Sequence, residues 1–128
     1  MRAHEIATLN WSSIDTEKRV AKLDRTKNGE PREVPLSSEA IRILMQFEGS
    51  DPPFGFTSGA HLSTNWFALK QKAGADGLTF HDSRHEAITR LSRKLDVLAL
   101  ARMVGHKNIK ELMTYYYETA EELATRLE

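Results

Sequence analysis

His81 and Arg84 stand three residues apart, Gly105-His106 follows some two dozen residues later, and Tyr115 lies nine residues beyond His106. On a helix, positions three apart share a face, so His81 and Arg84 would address one target. Arginine offers a planar fork of donors that fits phosphate oxygens, and histidine can hydrogen-bond or move a proton near neutral pH. Tyrosine is a poor nucleophile unless donors and cations stabilise the charge that its reaction develops. Cations followed by a tyrosine point to covalent attack on a phosphodiester.

At 128 residues the chain is one domain's length, long enough to bury a core. It has no cysteine, which excludes disulfides and thiolate metal sites. No apolar run nears membrane-spanning length and the first residues lack a signal peptide's apolar segment, so a cytoplasmic protein with no membrane partner is expected. A formal net charge of zero argues against a nucleic-acid binder, but the charges are unevenly spread. Lys18, Arg19, Lys22, Arg25, Lys27 and Arg32 gather around one hairpin, and Arg84, Arg90, Arg93, Lys94, Arg102, Lys107 and Lys110 form a second basic region. The compensating acid sits largely in the tail, at Glu118, Glu121, Glu122 and Glu128.

The elements that must position these residues can be read in order. Arg2 to Leu9 reads as the end of a short helix, and Trp11 to Ile14 as a strand or turn. Alternation predicts strands over 19–23 and 32–36, with an Asn28-Gly29 turn that places Lys27 at the tip of a ribbon. Ser37 or Ser38 caps a helix reaching Phe47, and 49–59 is a loop. Ser63 or Thr64 starts the next helix, which ends near Gly74, and another covers roughly 81–94. Asp96 caps a helix that stops at Gly105, 109–117 forms a short one, and Thr119 opens a last helix through a capping box with Glu122. The sum is a mainly helical α+β domain, with a small antiparallel sheet near its start packed on a helical bundle.

In this arrangement the chain resembles the catalytic domain of tyrosine recombinases, phage-type integrases in particular, along nearly its whole length. Residues 1–11 resemble the segment around that family's first catalytic arginine, and Thr26-Lys27-Asn28-Gly29 its hairpin lysine. His81-Asp82-Ser83-Arg84-His85 resembles its His-x-x-Arg box, and Val104-Gly105-His106 precedes the nucleophile as the family requires. The resemblance implies that Arg2 and Arg84 clamp the scissile phosphate and that Tyr115 attacks phosphorus, leaving a 3′-phosphotyrosyl link. Lys27 would protonate the departing 5′-oxygen, His81 would orient the tyrosine or accept its proton, and His106 would hydrogen-bond a phosphate oxygen. No cofactor or metal is implied. The implied partners are double-stranded DNA and other recombinase protomers in a tetrameric synapse, with the protein on the nucleoid when bound. Members usually carry a DNA-binding domain ahead of the first arginine, so 1–128 is expected to be an N-terminally truncated catalytic domain that recombines poorly alone.

Among three neighbouring tyrosines, the offset from His106 selects Tyr115, while Tyr116 and Tyr117 are expected to pack or to touch DNA backbone. His81 and His85 have the spacing of a helical metal pair, but the residue after His81 is Asp82 rather than a zincin's glutamate. His85 is therefore expected as a core or supporting residue beside the box. Ser83 with Asp82 cannot form a hydrolase relay, because adjacent helical residues diverge. Two other readings stand beside the recombinase one. The helices around Asp96 to Tyr117 could belong to a non-catalytic DNA reader or regulatory fragment, and type IB topoisomerases use related tyrosine chemistry. The last helix, with Leu123 and Leu127, could dock on a neighbouring protomer or pack on its own domain.

Overall fold

Short polar side chains start five helices by accepting hydrogen bonds from otherwise unpaired N–H groups of the first turn. Ser37 caps α2 (Ser38–Met45), Ser58 caps α3 (Gly59–Lys72), Thr79 caps α4 (Phe80–Ser92), Asp96 caps α5 (Val97–Val104) and Thr119 caps α7 (Ala120–Thr125). Arg2 precedes the short α1 (Ala3–Ala7), and α6 spans Lys110–Met113. The structure is a computed structural model that describes residues 1–24, 29–106 and 108–128. Lys27 and its Asn28 turn lie outside the described residues, as does Lys107.

Three strands, β1 (Ile14–Asp15), β2 (Val20–Leu23) and β3 (Arg32–Pro35), form an antiparallel sheet in that order. Ala21 pairs with Ile14 on one side and with Val34 on the other. Alternation holds: Ala21, Leu23 and Val34 are buried, whereas Lys22 and Glu33 face out. This inner face packs with Leu9 and Met103, while Ile88, Leu100, Ala101, Val104 and Leu112 form a second cluster among the helices. Helix α5 supplies residues to both, so it joins sheet to bundle. Leu100 and Leu112 are fully buried, each stabilising the fold by about 2 kcal/mol.

Two helix boundaries differ from expectation. Helix α3 starts at Gly59, not at Ser63 or Thr64, because Ser58 Oγ accepts the His61 N–H at 3.1 Å. Glycine is needed there, since a Cβ would come within 3.0 Å of the His4 backbone nitrogen. Helix α6 stops at Met113 rather than at Tyr117, its last turn tightened as Tyr115 and Tyr116 N–H groups bond Leu112 and Met113 carbonyls. Of the strand or turn expected from Trp11, the structure has a 3₁₀ turn over Trp11–Ser13, closed by Asn10 Oδ1 accepting the Ser13 N–H.

Gly105 ends α5 in the left-handed conformation at φ +76°, and a Cβ there would sit 2.9 Å from Arg32 Nη1. Gly74, after α3, has φ +66° with nothing within 4 Å of its would-be Cβ. Gly74→Ala is therefore expected to cost only the backbone strain, about 1 kcal/mol. Gly105→Ala should cost that plus the displacement of Arg32, roughly 3 kcal/mol altogether. Urea unfolding of the two variants measures the difference, and equal losses would remove Arg32 from the explanation.

Candidate active site

The first turn of α4 is set by a reciprocal cap. Thr79 Oγ1 accepts the Asp82 N–H at 3.1 Å, and the Asp82 carboxylate accepts the Thr79 N–H at 2.7 Å. Asp82 is thereby committed to the backbone; hydrogen bonds from Thr79 hold its carboxyl below the ordinary aspartate value. Ser83 is committed too, donating to the Phe80 carbonyl at 2.5 Å. His81 and Arg84 remain, one turn apart, with His81 exposed and Arg84 only 6% exposed.

Arg84 turns inward to the end of α5, where Nη2 donates to the Val104 carbonyl at 2.8 Å. A helix C-terminus leaves carbonyls without intrahelical partners, and a guanidinium there also meets the favourable end of the dipole. Arg32 acts alike, its Nε donating to the Met103 carbonyl at 3.1 Å. Its other nitrogens bind Glu5 in a two-pronged ion pair at 2.7 and 2.8 Å. Glu5 is 3% exposed and also accepts the Arg2 backbone N–H at 2.7 Å. Burial would raise the Glu5 carboxyl, but the Arg32 hydrogen bonds, then the Arg2 N–H, outweigh it and hold it below its ordinary value. One buried carboxylate thus ties α1, β3 and the end of α5 together.

Arg2, His81 and Arg84 line one cavity of about 320 Å³, walled by Trp66, Phe67 and Phe80. Arg2 Nη1 lies 3.6 Å from Glu5 Oε1, beyond hydrogen-bond reach. Arg2 Nη1 and Arg84 Nη1 are both buried without a hydrogen-bond partner among the described residues. Burial, then the charge of Arg2, pulls Arg84 down to about 10, so it still carries its charge at neutral pH. The Met1 amino group, buried beside Arg84, is pulled down to about 6. Partial burial and then the charges of His85, Arg84 and Arg2 hold His81 below its ordinary value, so it is mainly neutral at pH 7. The pocket has the electrostatics of a site for an anion.

Tyr115 follows α6, half-buried against the helical cluster, and its hydroxyl lies 2.9 Å from His85 Nδ1. It is near enough to Arg84 for their charges to interact. Tyr116 is committed elsewhere: its hydroxyl donates to the Leu95 carbonyl at 2.7 Å, and burial pushes its phenol up. Tyr117 is 82% exposed.

Not every residue read from sequence joins this cavity. His106 lines a larger groove of about 1130 Å³ beside Lys22, Arg32 and Arg102, and its Nδ1 is hydrogen-bonded to Glu111. The groove is the bigger concavity, but Arg2 and Arg84, each with a buried nitrogen that makes no hydrogen bond among the described residues, line the smaller one. Arg32 does not belong to a solvent-facing basic surface around the hairpin, since its charge is turned inward to Glu5. His85, expected as a core or supporting residue, is exposed and touches the phenol directly. Glu5 and Arg32 were not singled out as site residues from sequence. Glu5, three residues after Arg2 on one helix, carried a local signal, but Arg32 carried none.

The phage integrase family model matches residues 1–122. A Haemophilus influenzae protein carrying an integrase/recombinase assignment is 44% identical over 120 residues, covering 91% of this chain and 40% of that one. The shufflon-specific DNA recombinase of Escherichia coli is 36% identical over 132 residues, covering 100% of this chain and 34% of that one. The chain therefore spans well under half the length of these relatives. The crystal structure of XerA recombinase has the same fold, with a TM-score of 0.74 at 20% identity over 98% of this chain and 51% of that one. Matched from residue 1 to 122 and 44% identical to one relative, the chain belongs to the phage integrase family.

Proposed function

We propose that this chain is the catalytic domain of a site-specific tyrosine recombinase, which cuts and rejoins double-stranded DNA through a covalent protein–DNA link. The observation that carries this reading is that Arg2 and Arg84 line one cavity and each holds a buried guanidinium nitrogen with no hydrogen-bond partner among the described residues. An unpaired buried donor is costly, and two like charges side by side are more so, unless an anion completes them. A phosphodiester supplies such an anion, with oxygens that fit the two forks.

In this reaction Tyr115 Oη forms a bond to phosphorus as the bond from phosphorus to the 5′-oxygen breaks. Arg2 and Arg84 stabilise the charge of the crowded transition state, the largest contribution in phosphoryl transfer. Lys27 gives its proton to the departing 5′-oxygen, and His106 is assigned a phosphate oxygen once DNA draws it from Glu111. The phenol's proton falls to an imidazole of α4. The phosphotyrosyl bond keeps the energy of the cleaved one, so a 5′-hydroxyl reverses the step. Assembly into a synapse of four protomers is part of the proposal. It is supported by α7, which buries none of its residues, and by the exposure of Leu123 within it and Leu127 just beyond it.

The test is a pool of nicked duplexes of randomised sequence, incubated with the chain and separated under denaturing conditions. We expect a covalent adduct that Tyr115→Phe abolishes and Tyr116→Phe leaves intact. A complex that survives only under native conditions would favour a non-catalytic DNA binder. An adduct that persists in Tyr115→Phe would overturn the choice of nucleophile.

A further inference from the structure

We infer that His85, rather than His81, takes the proton from the Tyr115 hydroxyl as the phenol attacks phosphorus; this rests on the reading of the site given above. Among the described residues, the hydrogen-bond partner of Tyr115 Oη is His85 Nδ1, at 2.9 Å. That is the distance across which a general base must work. His81 lies one turn earlier on the same face of α4, its ring edge-on to His85 with centroids 4.8 Å apart. It lines the cavity with Arg2 and Arg84, on the phosphate side rather than against the phenol.

The approach of Tyr115 to His85 is imposed by its neighbour. Tyr116 is anchored by its hydrogen bond to Leu95 and packs against the helical cluster, so the chain after α6 is held in one rotation. With that side chain fixed, the preceding one is directed to α4. Arg84 and His85 are consecutive, so clamp and base sit side by side on one rigid helix, where catalytic geometry is best kept.

The step balances as follows. The Tyr115 O–H bond breaks and its proton passes to Nδ1 of neutral His85, which becomes an imidazolium. Oη bonds to phosphorus, and the 5′-oxygen leaves with a proton from a separate donor. On rejoining, the imidazolium returns its proton to the tyrosine oxygen. Among the described residues, the titratable groups facing His85 are His81 and Asp82 on its own helix and Tyr115 from the segment after α6. Glu86 is turned away, ion-paired with Arg90 at 3.0 Å.

Asparagine distinguishes proton transfer from positioning, because its side chain can hydrogen-bond from near the place of Nδ1 but cannot carry a proton away. Single-turnover adduct formation on the nicked duplexes would be followed across pH for the wild type, His85→Asn and His85→Ala. Both variants are expected to be on the order of 10²–10⁴-fold slower near neutrality. Their rates should climb with pH toward the wild-type rate as the phenol ionises unaided, with DNA affinity and thermal unfolding unchanged. His85→Asn reacting as fast as the wild type over the whole range would overturn the inference and leave His85 a positioning residue. A wild-type chain that forms no adduct at all would overturn the reading of the site, and this inference with it.

Discussion

Alanine in place of Arg84 should lower single-turnover adduct formation by at least a thousandfold, equivalent to about 4 kcal/mol of transition-state stabilisation. The guanidinium is nearly sealed from solvent, with one nitrogen on the Val104 carbonyl and Nη1 buried without a partner. In that setting a charge aimed at a phosphate is worth far more than it is in water. Arg84→Lys should recover only a small part, because an ammonium cannot bond the Val104 carbonyl and the ligand through one planar fork. The variant also loses its cap on α5, so stability has to be measured beside activity; that loss should be about 1–3 kcal/mol. A rate loss below tenfold in a folded Arg84→Ala chain would show that Arg84 holds α5 and does no more.

The largest stability effect is expected at Glu5. Glu5→Ala leaves Arg32 buried with its charge uncompensated, close to Arg2 and Arg84, and should cost about 3–5 kcal/mol. Domains of this kind are stable by only about 5–15 kcal/mol, so the variant should unfold at much lower urea. Replacing both partners, Glu5→Met with Arg32→Met, should recover much of the loss, since an apolar pair leaves no charge stranded. The wild type carries a matching pH signature. The folded Glu5 carboxyl titrates below its ordinary value of 4.5. Its stabilisation is therefore complete above that value and is lost as pH falls through the folded one. Below pH 4.5 the wild type should lose stability that Glu5→Gln, which has no proton to take up there, does not lose. Parallel acid limbs in the two proteins would show that this carboxylate is not the hub.

Much of the helix pattern was legible because caps are local. Ser37 ahead of α2, Asp96 ahead of α5, and Thr119 with Glu122 each declare a helix start within four residues, and the structure has all three. Gly59 was read as the end of a loop because its reason for being glycine lies 55 residues away, at the His4 backbone. The end of α6 was misjudged for a similar reason, as Tyr116 leaves the helical course to reach Leu95.

For the candidate site, the identity of the residues was a matter of sequence and their company was a matter of the fold. The order and spacing of Arg2, His81, Arg84 and Tyr115 already named a phosphate-directed set, because side-chain chemistry and helical periodicity are properties of short stretches. The order of the residues did not contain the partners: Arg32 turned to Glu5, Arg84 on Val104, His106 in a different groove, and His85 against the phenol. Those are meetings across 20 or more residues of chain, and they exist only once the helices and the sheet have packed together. Local chemistry proposes which groups can act, whereas burial and long-range packing decide which of them meet.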